Sequence, residues 1–109
     1  MSYNARVSGQ AYKMAEAYDN GNKEVYKAEK EKYWQVLEEE LTKQPVNGWI
    51  DYEDPIDWLS AMVADGDKKE WVEEALDNYT RFCEICKKVT GREWLDKEVV
   101  ASAEAYLKG

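Results

Sequence analysis

The sequence contains no histidine in its 109 residues. That absence removes the commonest general base, the usual partner of a serine or cysteine nucleophile, and the most frequent transition-metal ligand. Any catalysis would have to run on carboxylates, lysines or tyrosines. Cysteine is almost as scarce: two in a chain of this size do not make a disulfide framework, which agrees with a reducing compartment. Long apolar runs are missing as well. No uninterrupted stretch approaches the ~20 residues a membrane span needs, and the start, Met1 to Arg6, has no apolar signal core. The expected setting is the cytoplasm, or the host cytoplasm if the source is viral.

What is present is material for a core. Hydrophobic residues make up 44% and aromatics 13%, against 35% charged residues, so a packed single domain over 1–109 is expected rather than disorder. The net charge is −8, and it is unevenly placed. Met1 to Val36 holds six basic and five acidic residues, and Asn78 to Gly109 again six and five, so each flank is +1. Leu37 to Asp77 holds three basic and thirteen acidic residues, which is −10. A middle this acidic repels DNA, RNA and anionic membrane, and a basic partner is its natural complement.

The best-delimited stretch is Asp67 to Gly91. Asp67 with Glu70 reads as a capping box and Gly91 as a left-handed stop. Between them Val72, Leu76, Tyr79, Cys83 and Cys86 fall in one helical stripe, which Trp71, Ala75, Phe82 and Val89 widen. A helix apolar over half its circumference touches more than one neighbour, so this is the expected central helix of an all-α domain. Earlier in the chain, Val7, Ala11, Met14 and Tyr18 mark a helix from about Tyr3 to Asp19, ended at Asn20-Gly21-Asn22. Tyr26, Tyr33, Leu37 and Leu41 mark a second from about Lys23 to Lys43, with Trp34 and Val36 at the stripe's edges. Pro45 stops it, and the segment to Asp54, with an Asn47-Gly48 turn, has no helical period. Asp54-Pro55 opens a third helix to about Asp65, with Ile56, Leu59, Met62 and Val63 inward. A last helix carries Ala101, Ala103, Tyr106 and Leu107, beginning either near Gly91, capped by Thr90 with Glu93, or later, capped by Asp96. A faint repeat at a shift of 46 pairs Lys23-Glu24 with Lys69-Glu70, Tyr33 with Tyr79 and Glu38 with Glu84. The expected architecture is a compact bundle of four to five helices built from two helical hairpins, with one irregular loop around residues 45–54.

Three chemistries have partial support in the residue pattern. Cys83-Glu84-Ile85-Cys86 is a CxxC, but zinc needs four ligands, so a site would require two copies of the chain. A redox thiolate needs a helix N-terminus, and this pair lies near a C-terminus on an apolar stripe; buried thiols acting as small hydrophobes are the expectation. Glu70-x-x-Glu73 and Glu93-x-x-Asp96 have the form by which all-α nucleotide pyrophosphohydrolases hold Mg²⁺ between two helices. Asp51, Glu53, Asp54 and Asp57 invite a calcium loop, yet Ile56 and Met62 stand where such a loop needs Gly and Glu. No cofactor and no metal is expected.

Aromatic residues inside acidic sequence stand out. Trp49, Tyr52 and Trp58 are interleaved with Asp51, Glu53, Asp54 and Asp57, and Glu38, Glu39 and Glu40 sit at a helix end where the dipole disfavours them. Trp and Tyr carry much interface energy, and an acidic rim steers basic partners. Trp49 and Trp58 equally suit a lid over the helical core. The expected function is a small acidic, non-enzymatic protein-binding module. Its most concrete form is an inhibitor that imitates nucleic acid and blocks the basic nucleic-acid-binding surface of a partner, as viral anti-restriction and anti-CRISPR proteins do. Glu38, Glu39, Glu40, Trp49, Asp51, Tyr52, Glu53, Asp54 and Asp57 are its candidate contact residues. Direct nucleic-acid or membrane binding is not expected. The alternatives are the Mg²⁺-dependent pyrophosphohydrolase and a structural or assembly subunit that self-associates into a homo-oligomer.

Overall fold

The structure is a computed structural model that describes residues 5–43 and 55–109, without the side chains of 55–58. Among these residues it is all-α: α1 (Ala5–Asp19), α2 (Lys23–Lys43), α3 (Pro55–Asp65), α4 (Lys69–Thr90) and α5 (Lys97–Lys108). The chain divides into two compact units, Met1–Glu53 and Asp54–Gly109. The first is an α1–α2 hairpin; in the second, α3, α4 and α5 pack on one another. The segment 45–54, with its Asn47-Gly48 turn and the Asp54 cap, lies outside the described residues.

In the first unit Val7, Ala11, Met14 and Ala17 of α1 are buried, as are Tyr33, Trp34, Val36, Leu37 and Leu41 of α2. These are the residues that helical spacing puts on one face of each helix. Gln10 joins them, its side-chain amide donating to the Glu29 carbonyl oxygen at 3.0 Å. In the second unit Leu59, Val72, Ala75, Tyr79, Phe82, Cys83, Ile85, Cys86 and Ala103 are buried. The stripe read on α4 is therefore the buried face, with Leu76, Trp71 and Val89 half-covered at its margins.

Both hairpins turn by the same device. Gly21 and Gly66 take φ of 71° and 70°, open to glycine without strain. Gly21 donates to the Tyr18 oxygen and Asn22 to that of Ala17; Gly66 donates to Val63 and Asp67 to Met62. Each pair of bonds closes a helix in the Schellman manner. Asn22 then caps α2, its side-chain oxygen accepting from the Val25 N-H at 3.2 Å. The equivalent residue in the second hairpin is Asp67, but Lys68 intervenes before α4 begins. Lys68 is thus the cap residue, with no side-chain bond, and the capping box expected from Asp67 and Glu70 does not form. The one-residue insertion explains why the turns match at a shift of 45 and the helix starts, Lys23 and Lys69, at 46. The faint repeat in sequence corresponds to two hairpins with a buried tyrosine, Tyr33 or Tyr79, at the same position of the second helix.

The start of the last helix is resolved in favour of Asp96, whose carboxylate accepts from the Glu98 and Val99 N-H groups at 2.9 and 3.4 Å. Gly91, at φ 75°, ends α4 as expected. Among the described residues no helix is long and apolar enough to cross a membrane.

Candidate functional site

The acidic triplet at the end of α2 is largely answered from within its own unit. Antiparallel packing brings the first turn of α1 beside the last turns of α2. Arg6 there spans two carboxylates, Nη2 to Glu39 Oε1 and Nη1 to Glu40 Oε2, both at 2.9 Å. Lys43 adds a third contact, Nζ to Glu40 Oε2 at 3.2 Å. The bonds to Glu40 and then Glu39 hold the Arg6 guanidinium more firmly protonated than usual. A cation at this helix end also suits the dipole that the glutamates oppose. Glu39 is exposed, whereas Glu38 and Glu40 are half-buried, so the triplet offers a partner far less charge than its sequence promised. Arg6 was missed because it lies 34 residues from Glu40 in sequence. The signal was available in the hairpin topology, which fixes which ends meet.

Of the remaining candidates, Trp49, Asp51, Tyr52, Glu53 and Asp54 lie outside the described residues. Asp57 falls in the first turn of α3, and its side chain, like that of Trp58, is not among those described.

A second acidic surface is fully described, and it belongs to the other unit. Glu70, Glu73, Glu74 and Asp77 follow one another on the side of α4 opposite its buried stripe; Glu70, Glu73 and Asp77 are exposed and Glu74 half-buried. Exposed Asp65 and half-buried Asp67 flank the turn before them. From Asp54 to Asp77 there are eight acidic residues and two lysines, a net −6. One of those lysines, Lys68, lies over the Trp71 ring at 5.2 Å. The stripe occupies the N-terminal half of α4, and Glu70 stands in the first turn, where the helix dipole favours anions. The helical period already puts these side chains toward water, and they lie within the Leu37 to Asp77 stretch whose acidity pointed to a basic partner.

The same helix separates the two carboxylate pairs expected to share Mg²⁺ in the hydrolase alternative. Glu70 and Glu73 stand in its first turns, and Glu93 and Asp96 follow its end; its 22 residues span about 33 Å. Oxygen ligands reach Mg²⁺ at about 2.1 Å, so the two pairs cannot hold one ion. Glu93 is also engaged elsewhere, accepting from Lys87 Nζ at 3.0 Å and from the Leu95 N-H at 3.2 Å. Its pKa is lowered, chiefly by Lys87. Asp96 is occupied as the cap of α5. Among the described residues no group of three or more His, Cys, Asp or Glu side chains is arranged to hold a metal ion. Cys83 and Cys86 are thiols outside any disulfide, both buried in the α4 stripe. Beside Cys83 the Tyr79 hydroxyl accepts from the Asp96 N-H at 2.8 Å. Burial above all pushes the pKa of this phenol up to about 12.

No family model, no curated protein and no solved structure matches the chain.

Proposed function

We propose that this protein is a non-enzymatic binding module whose acidic outer face on the second unit engages a basic surface of another protein. The observation that carries the proposal is the run Glu70, Glu73, Glu74 and Asp77 on the outward side of α4, within a net −6 stretch. Like charges at i,i+3 and i,i+4 spacing repel, so the run offers less to the helix than mixed charges would. What it does provide is a row of carboxylates repeating along a rigid axis, which attracts and orients a cationic surface. Its most concrete form is inhibition by nucleic-acid mimicry, the module covering the phosphate-binding face of a partner in the cytoplasm, including a host cytoplasm. The acids of 51–57, with Trp49 and Tyr52, remain proposed contact residues for a basic partner. The Glu38–Glu40 end of α2 has a smaller part because Arg6 and Lys43 already neutralise much of it.

The test is affinity capture from the source cell, comparing the unaltered protein with Glu70→Lys/Glu73→Lys/Glu74→Lys and, separately, Glu39→Lys/Glu40→Lys. The expected result is capture of a basic protein, displaced by added duplex DNA or RNA and lost with the α4 triple variant. Equal capture by the triple variant, with an unchanged circular dichroism spectrum, overturns the proposal.

A further inference from the structure

We propose that α5 is a detachable strap, which leaves and returns to the α3–α4 pair while those two helices stay folded. The helix packs on both α3 and α4, yet of its twelve residues only Ala103 is buried. Val99, Val100, Tyr106 and Leu107 are half-covered, while α4 buries eight residues. Apolar burial is the main force that docks a helix, and α5 has little of it.

Two tyrosine hydroxyls supply the remainder, one at each end. Tyr79 Oη accepts from the Asp96 N-H at 2.8 Å, and the Tyr106 hydroxyl donates to the Asp67 carbonyl oxygen. Bonds of this kind exchange readily for bonds to water, so they direct the strap without locking it. The connector is fixed differently. Trp94 donates through its indole N-H to Thr90 Oγ1 at 2.8 Å, Thr90 bonds back to the Cys86 oxygen at 2.7 Å, and Arg92 lies over the Trp94 ring at 4.3 Å. Residues 91–95 therefore stay with the end of α4, and the moving part begins at Asp96.

Opening carries its own reporter. The Cys83 thiol lies against the Tyr79 hydroxyl that holds Asp96, so departure of α5 uncovers it. Elements held by few apolar contacts open at lower free energy than the global transition, and a buried thiol reacts only from the open form.

The experiment labels the full-length protein with an aromatic disulfide reagent under native conditions, resolving Cys83 and Cys86 by mass spectrometry across a denaturant series. Cys83 is expected to react faster than Cys86, with a denaturant dependence well below that of global unfolding. Tyr106→Phe removes the tether at the far end of α5, some 20 Å along α4 from Cys83. It is expected to speed Cys83 labelling about fivefold while leaving Cys86 unchanged. Hydrogen exchange provides a second readout, with α5 amides less protected than those of α4 in the unaltered protein. Equal labelling of both thiols with the full denaturant dependence, or equal protection of α4 and α5, overturns the proposal.

Discussion

Tyr79 shows how one polar atom in a core can set a pH limit. Its ring is buried, and the phenol pKa rises from 10 to about 12 because ionisation would place a charge among apolar neighbours. A raised pKa favours the neutral form in the folded state, so this contribution to stability is complete below pH 10. It is lost as the pH climbs toward about 12. Urea unfolding at about pH 8 and about pH 11 should show a loss of stability that Tyr79→Phe largely removes. An identical loss in that variant would place the alkaline sensitivity elsewhere. Arg6 is the contrasting case: it and Glu39 are exposed enough for their pair to contribute little, and the half-buried Glu40 keeps Lys43 as a second partner. Arg6→Ala should leave the melting temperature nearly unchanged by calorimetry while making the α2 end more electronegative.

At the scale of the element, helix ends were more exposed to error than helix faces. Gly21 adopts φ 71°, and a methyl group added there would meet no other atom within 4 Å, so Gly21→Ala encounters backbone strain alone. The expected cost is about 1–2 kcal/mol, read from denaturant unfolding. Asp96→Ala removes the cap of α5 and should cost about 1 kcal/mol, with the exchange of α5 amides affected first. The faces of α1, α2 and α4 were legible because an apolar residue every three or four positions can be satisfied only by a helix with one side covered. The start of α4 was not. Asp67 has the side chain for a cap, but whether it sits at the cap depends on Lys68, an insertion visible only once the two hairpin turns are seen to match. Burial of Asn78 and Gln10 was equally illegible, since polar residues enter a core through partners that sequence does not name. The candidate site was legible as a charge total, while the cation that answers part of it was not. Arg6 and Glu40 are neighbours through hairpin topology, and no local pattern links them.

For the molecule as a whole, a net charge of −8 with −6 of it between Asp54 and Asp77 makes self-repulsion part of the energetics. The stripe on α4 sets Glu70 beside Glu73 and Glu74, and Glu73 and Glu74 beside Asp77, at spacings where like charges destabilise a helix. Salt screens such repulsion, with a Debye length near 10 Å at about 0.1 M, so the melting temperature should rise between low salt and about 0.5 M. Glu73→Gln should raise stability at low salt and flatten that rise, as read by calorimetry. The same variant separates two origins of the acidity. Carboxylates present only to keep the surface hydrated can be replaced by amides without loss of partner capture. If they form the contact, replacement strengthens the fold and weakens capture together, and added salt weakens capture of the unaltered protein in parallel. Gain of stability with full retention of the partner would remove the acidic face of α4 from the function.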